Sequence, residues 1–408
     1  MSVDYDVLIV GAGHGGASTA VALRQQRFEG TIGLLGEEPE LPYDRPPLSK
    51  DYLNGDKPWE SMVFHSAKGW ADRQVDLMLG CQVLEVDASA HRVHTKEGRS
   101  INYGKLVWAA GGMPRRLACD GHDLAGVHTL RARADADRMI AELPSVHEAV
   151  VVGGGYIGLE AAAALRTLGK KVTLLEALDR VLARVTAEPV SRFYEAQHRS
   201  HGVDIRLDAK VDRIIGKNER VTGVRLADGE EIPAQMVIVG IGISPVVAPL
   251  ITAGAAGSNG VRVDAQCRTS LPDILALGDC AEHRNSHGDD DWIRIESVQN
   301  ATDQGTIAAQ AIMGEPCTYD AVPWFWSDQY DLKLQTVGLS HGHDQYIVRG
   351  FPETGSFAIV YLRSGVVIAL DCVNAIRDYA QGRMLVRRRA RPDPALLADP
   401  AVELRALA

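Results

Sequence analysis

Tyr5-Asp6-Val7-Leu8-Ile9-Val10-Gly11-Ala12-Gly13-His14-Gly15-Gly16, continued by residues 17–26, decides how the rest of the chain is read. The first six residues are a short apolar run of strand type, and residues 17–26 read as helix. Between them Gly11, Gly13 and Gly16 satisfy G-x-G-x-x-G in the strand–turn–helix setting that gives the pattern its meaning. Gly11 permits the tight turn, Gly13 lets a pyrophosphate approach the backbone, and Gly16 lets the helix pack closely on the strand. The free N–H groups and the positive end of the helix dipole then face the phosphates, with His14 and Gly15 in the same loop. A second strand, residues 31–35, runs into Gly36-Glu37. Glu37 follows Gly16 by 21 residues, close to the ~20 at which a carboxylate accepts from a ribose diol.

The pattern recurs. Residues 148–152 form a strand, Gly153-Gly154-Gly155-Tyr156-Ile157-Gly158 repeats the glycine spacing, and residues 159–168 read as helix, ended by Gly169. The next strand, residues 171–175, ends at Glu176, 18 residues past Gly158. Two such units imply two different dinucleotides. A carboxylate at Glu176 accepts from a ribose diol and repels the extra phosphate of NADP, so NADH is the expected nicotinamide. Arg180 and Arg184 stand nearby to moderate that repulsion.

The 408 residues suffice for two or three domains, and 46% apolar with 24% charged residues is ordinary globular composition. A net charge of −10 argues against nucleic acid as a partner. No apolar run approaches the ~20 residues of a membrane span, and a core strand begins by residue 5, before any signal peptide would fit. Cys81, Cys119, Cys267, Cys280, Cys317 and Cys372 are too scattered for a metal clip, an iron–sulfur cluster or a redox pair. Each is expected to be a small buried hydrophobe in a reducing cytoplasm, no metal site is expected, and the default oligomeric state is a monomer.

Between and beyond the two units other stretches stand out. Three prolines stiffen Leu41-Pro42-Tyr43-Asp44-Arg45-Pro46-Pro47-Leu48-Ser49-Lys50, which reads either as a rigid surface loop or as a loop folded over a ligand with Arg45 and Lys50 directed at it. Residues 75–93 alternate as in a β-hairpin. A strand at 105–108 enters Ala109-Ala110-Gly111-Gly112, and one at 237–239 enters Gly240-Ile241-Gly242. Residues 273–277 form a strand ending at Gly278-Asp279, where the carboxylate either caps a following helix or accepts from a polyol. Residues 296–313 read as helix. From about residue 323 the chain changes character: aromatics concentrate in Trp324-Phe325-Trp326, strands alternate, and a basic run of Arg383, Arg387, Arg388, Arg389 and Arg391 follows. That run is a solvated face or a dock for an acidic partner.

These stretches resemble the FAD-dependent, NADH-using ferredoxin reductases of the glutathione-reductase structural class, such as those of aromatic-ring dioxygenases. The resemblance spans essentially the whole chain. It rests on Gly-Ala-Gly-His-Gly-Gly at 11–16, Arg-Pro-Pro-Leu-Ser-Lys at 45–50 and Gly-Gly-Gly-Tyr-Ile-Gly-Leu-Glu at 153–160. Leu-Gly-Asp-Cys at 277–280, Glu-Ser-Val-Gln-Asn-Ala at 296–301 and Trp-Phe-Trp-Ser-Asp-Gln at 324–329 complete it. It implies an α/β chain with two Rossmann-like dinucleotide-binding domains and a small α+β C-terminal domain. The expected boundaries are 1–113 and 242–320 for FAD, 114–241 for NAD and 321–408 for the last domain.

The resemblance also implies site residues. FAD would be met by Gly11, Gly13, His14, Gly15, Gly16, Glu37, Arg45, Lys50, Val83, Ala110, Gly111, Arg131, Asp279, Glu296, Ser297, Val298 and Trp326. The nicotinamide nucleotide would be met by Gly153, Gly155, Tyr156, Ile157, Gly158, Glu176, Arg184 and Gly242. Lys50 and Glu160 form an ion pair beside the flavin ring, with Trp326 near it. Relatives commonly carry Thr where this chain has Ala110. The implied activity passes a hydride from NADH to FAD and single electrons to a small acidic [2Fe-2S] ferredoxin, which feeds a haem-thiolate monooxygenase or a ring-hydroxylating dioxygenase. Alternatives are a rubredoxin reductase and a flavin-bound interaction protein like apoptosis-inducing factor. Disulfide reductases of the class hold a cysteine pair against the flavin, and residues 45–50 contain no sulfur.

Overall fold

A computed structural model describes residues 4–288 and 291–408. By internal contacts the chain divides into two units: Met1–Arg45, Trp59–Met113 and Ser244–Pro323 make one; Pro46–Pro58, Pro114–Ile243 and Trp324–Ala408 make the other. The stretch Pro46–Pro58, which includes Lys50, therefore packs with the second unit, whereas the expected first segment ran unbroken over 1–113.

The first unit is built on a parallel sheet. Its strands lie in the order Val75–Leu79, Ile32–Gly36, Tyr5–Val10, Ser100–Trp108, Ile274–Ala276. Val7, Leu8 and Ile9 are fully buried, as a strand covered on both faces requires. The hairpin expected over residues 75–93 is only half present. Val83–Asp87 pairs antiparallel with Arg92–Thr95, but Val75–Leu79 joins Ile32–Gly36 in parallel. Alternation gives a strand's face, not its partner, so a parallel edge strand and a hairpin arm read alike.

The helix after the glycine loop spans His14–Gln25, three residues earlier than expected. Gly15 and Gly16 lie within its first turn, where the reading had excluded glycine from helix. A second helix, Val298–Met313, begins two residues later than expected because Ser297 caps it, accepting from the Asn300 amide at 3.1 Å.

The second unit repeats the plan with strands Val203–Arg206, Lys171–Leu175, Glu148–Val152, Met236–Val239 and Val127–His128, all parallel. Its helix spans Tyr156–Thr167, and Gly169, with φ +74°, ends it as expected. The C-terminal part is a five-stranded antiparallel sheet in the order Trp324–Gln329, Leu332–Gly338, Val366–Val373, Ser356–Arg363, Gln345–Phe351. The helix Ile376–Arg388 covers it, with Gly382 against Leu370. One apolar core runs through Leu174, Phe193, Tyr194, Phe357 and Tyr361, so sheet and nucleotide fold share an interior. No helix among the described residues is long and apolar enough to cross a membrane. Four of the cysteines are buried as expected, while Cys119 and Cys317 are half-buried.

One buried acid in this interior has a measurable consequence. Tyr361 Oη donates to Asp371 Oδ2 at 2.5 Å and accepts from the Ala187 amide at 2.7 Å. Burial pushes the Asp371 carboxyl up to about 7, against the pull of the Tyr361 hydrogen bond. An unfolded aspartate titrates near ~3.9. Between these values the native chain holds a proton that the unfolded chain releases. Stability from this group is therefore complete in acid and declines as pH rises toward 7. Asp371→Asn keeps an acceptor for Tyr361 and removes the titration. The wild type should lose stability relative to this variant by about 1.4 kcal/mol per pH unit across that window, read by urea unfolding at several pH values. Parallel stability curves for the two proteins would contradict the assignment.

Candidate functional site

In the first unit, Tyr5–Val10 delivers Gly11 at φ +110°, where an added Cβ would lie 2.2 Å from the Ala109 carbonyl oxygen. At Gly16 a Cβ would lie 1.9 Å from the Gly11 oxygen. The loop can close only without side chains at these two points, which leaves the helix N–H groups facing outward. Arg45 sits over the loop: its Nε is 3.8 Å from where a Gly13 Cβ would be. The guanidinium is paired with Glu38 at 2.5 Å and hydrogen-bonded to Tyr43 Oη at 3.0 Å. Burial works against its charge, and Tyr43, Glu38 and Asp279 outweigh burial, so the group is held protonated more firmly than usual. His14 Nε2 meets Asp44 Oδ1 at 3.1 Å, with the ring edge-on to Phe64. Glu37 is exposed at the end of Ile32–Gly36.

The other expected residues of this unit take defined places. Asp279 lies within a one-turn helix, Gly278–Cys280, whose N-cap position is Leu277. Gly278, at φ +73°, gives its N–H to Gln304 Oε1 at 2.7 Å, which fixes the turn carrying Asp279. Arg294 donates to the Asp279 carbonyl and pairs with Glu296 at 2.6 Å. Val83 is buried as the first residue of its strand, Ala110 and Gly111 are half-buried just past Trp108, and Val298 opens its helix.

The second unit holds a matching cradle. Gly153 has φ +107°, and its Cβ would lie 2.4 Å from the Gly240 oxygen. Gly158 would place a Cβ 1.9 Å from the Gly153 oxygen. At Gly155 an added Cβ would meet nothing within 4 Å, so the mouth of the loop is open. Glu176 accepts from the Gly154 amide at 2.6 Å, which ties the acid to the glycine loop, and from the Leu178 amide at 2.8 Å. Arg180 donates to the Ala183 and Thr186 carbonyls and Ser191 Oγ, neutral acceptors that fix where its charge stands. Arg184, Ile157 and Gly242 are exposed. Tyr156 packs on Phe325 with ring centroids 4.6 Å apart, and the Arg131 amide donates to Asp135.

Lys50 Nζ is 3.1 Å from Glu160 Oε1, with side chains 11% and 3% exposed. Ser327 Oγ donates to Glu160 Oε1 and Ser49 Oγ to Oε2, both at 2.6 Å. Burial pushes the Glu160 carboxyl up, while Lys50 and the two hydroxyls pull it back. Asp328 is a second carboxylate partner for Lys50 at 3.7 Å. Trp326 is half-buried between them in sequence, its ring against Trp324 and Phe325. The sequence reading named Lys50, Glu160 and Trp326 but missed Ser49, Ser327 and Asp328. All three lie inside the quoted motifs: Ser49 beside Lys50, Ser327 beside Trp326, and Asp328 one position further on.

The chain matches known proteins along its length. The pyridine nucleotide-disulphide oxidoreductase pattern matches residues 5–305, and the reductase C-terminal pattern matches residues 324–408. A ferredoxin–NAD(P)(+) reductase of a Sphingomonas species is 58% identical over 402 residues, covering 98% of this chain and 97% of the relative. The ferredoxin reductase subunit of 5,5'-dehydrodivanillate O-demethylase from a Sphingobium species is 54% identical, covering 99% and 98%. Among solved structures, the ferredoxin reductase of the CYP199A2 system from Rhodopseudomonas palustris superposes with TM-score 0.95 at 36% identity, covering 99% of this chain and 100% of the other. The reductase in a covalent putidaredoxin reductase–putidaredoxin complex gives TM-score 0.96 at 38% identity, covering 100% and 98%. With its paired cradles and both patterns present, the chain belongs to the pyridine nucleotide-disulphide oxidoreductase family, among its ferredoxin reductases.

Proposed function

We propose that this chain is an FAD-carrying enzyme that oxidises NADH and supplies electrons singly to a small acidic [2Fe-2S] ferredoxin serving a monooxygenase or ring-hydroxylating dioxygenase. The observation that carries this is the doubled glycine cradle together with a buried Lys50–Glu160 pair and no thiol in residues 45–50.

The residues fit FAD in the first cradle. Gly11 and Gly16 leave the N–H groups bare, Arg45 stands over the loop to meet phosphate charge, and Glu37 is exposed where a ribose diol needs an acceptor. Bound there, FAD supplies the conversion of a two-electron donor into a one-electron donor. The second cradle, open at Gly155, holds the nicotinamide nucleotide, and Glu176 accepts from its adenosine ribose. Lys50 offers a cation to charge that develops at the reacting ring, and Glu160, itself held by two hydroxyls, fixes where that cation stands. Hydride transfer needs close stacking, so no acid–base pair is required of the chain.

The partner class is supported by the relatives named for ferredoxin reduction and by the solved complex with putidaredoxin. The exposed arginines 383, 387, 388, 389 and 391 favour an acidic one. Purified protein should show flavin bands that bleach with NADH under nitrogen; a colourless protein that takes up no FAD would overturn the reading.

Glu176 sets the choice of nucleotide. Glu176→Ala removes the ribose acceptor, the repulsion of a 2′-phosphate, one tie to the glycine loop at Gly154 and one to the Leu178 amide. It should raise KM for NADH about tenfold and erode preference over NADPH by at least as much, a loss of about 1.4 kcal/mol or more in discrimination. An unchanged ratio of kcat/KM values would remove Glu176 from that role.

A further inference from the structure

The Lys50–Glu160 pair is the end of a longer row of hydrogen bonds within the second unit. Ser327 Oγ, which donates to Glu160, accepts from Gln329 Nε2 at 3.2 Å. Gln329 Oε1 faces His198 Nε2 at 2.9 Å, and His198 Nδ1 faces Tyr330 Oη at 3.4 Å. Gln329, Ser327 and His198 are at most 1% exposed. Tyr330 stacks on exposed His201, with ring centroids 3.8 Å apart.

The orientation of the Gln329 amide, with Nε2 toward Ser327 and Oε1 toward His198, sets the directions in this row. An amide oxygen only accepts, so His198 Nε2 carries the ring proton and donates to Gln329. Burial lowers the His198 pKa to about 4, despite its bond to Gln329, so the ring is neutral near pH 7 and Nδ1 is left to accept from Tyr330. Gln329 must then turn its NH2 toward Ser327, and the Ser327 proton, displaced from that side, points at Glu160. Every donor from Tyr330 inward is aimed at one carboxylate.

We infer that His198 is a positioning residue for the Lys50–Glu160 pair, acting through Gln329 and Ser327 to keep a polarised row of donors on Glu160. The inference rests on the reading of Lys50 and Glu160 as parts of the reducing site. The row conveys orientation and not protons, because an amide passes no proton without changing its tautomer. Helix Glu188–Ser200, which carries His198, is thereby coupled to the charge of an acid on helix Tyr156–Thr167.

Other groups act on Glu160: Lys50 from the 46–58 stretch, Asp328 through Lys50, and, electrostatically, Tyr156 and Tyr194, which also feel Asp371. None of them is altered when His198 or Gln329 is changed, so the row can be tested alone.

The test is an infrared pH titration of the holoenzyme, following the stretch of the protonated carboxyl that Glu160→Gln abolishes. His198→Phe and Gln329→Leu should each raise the pH at which Glu160 protonates by about one unit, a tenfold gain in proton affinity. His198→Gln, whose amide restores a donor at the Nε2 position, should titrate like the wild type. An identical midpoint in His198→Phe and Gln329→Leu would overturn the inference, as would a His198→Gln midpoint displaced as far as that of His198→Phe. The carboxyl signal is read with no ferredoxin present, so its failure leaves the proposed activity standing, and failure to reduce a ferredoxin leaves this titration readable.

Discussion

Lys50→Met should slow flavin reduction by NADH at least about tenfold and destabilise the fold by about 3–5 kcal/mol, the usual effect of removing one member of a buried ion pair. Glu160 is 3% exposed, and its acceptor capacity is met by Lys50, Ser49 and Ser327. Without the ammonium two hydroxyls remain, which do not balance a full charge in a low-dielectric interior. Glu160 then either stays charged and unpaired or takes up a proton. In both cases the cation assigned to stabilise developing charge is gone. Lys50→Met with Glu160→Gln separates the two effects. The double variant should recover most of the stability, because no charge is left unpaired, while reduction stays slow. Stopped-flow reduction with denaturant unfolding of the three proteins reads both quantities. Reduction of Lys50→Met at wild-type speed would reduce the pair to a structural brace.

The two glycine cradles should fail independently. In Gly16→Ala the new methyl would sit 1.9 Å from the Gly11 oxygen, and in Gly158→Ala 1.9 Å from the Gly153 oxygen. Both neighbours are backbone atoms at the end of a buried strand, so relief requires moving the helix off its strand. Such a shift withdraws the N–H groups that hold a pyrophosphate. Gly16→Ala should purify largely without flavin. Gly158→Ala should retain its flavin, yet its reduction by NADH should fall by about a hundredfold or more, while dithionite still bleaches the bound flavin at the wild-type rate. Flavin absorbance per chain and anaerobic reduction rates distinguish the two. Flavin loss in Gly158→Ala, or full NADH activity in Gly16→Ala, would mean the cradles are not assigned to separate nucleotides.

Much of this arrangement was legible in residue order because it is local. Strand, glycine loop, helix and terminal acid lie within about forty residues in each repeat, and steric demands at Gly11, Gly16, Gly153 and Gly158 follow from that local geometry. Helix starts were misjudged where glycine lies inside a first turn, as at Gly15 and Gly16, and where Ser297 caps. Pairing was misjudged for Val75–Leu79, because alternation carries no information about strand direction. The link from Gln329 to His198 left no trace in the sequence. His198 and Gln329 lie 131 positions apart, and a lone histidine on an amphipathic helix reads as an ordinary core residue. Arg180 was visible as a cation by its spacing, but its bonds to Ala183, Thr186 and Ser191 were not.

The account is tested most directly by counting electrons. Under nitrogen, a limiting amount of NADH is added to the flavoprotein in the presence of excess oxidised [2Fe-2S] ferredoxin, and reduced ferredoxin is measured from its visible absorbance. Two ferredoxins reduced per NADH consumed is the expected result. NADH consumed with the ferredoxin left oxidised, across a panel of acidic ferredoxins, would contradict it.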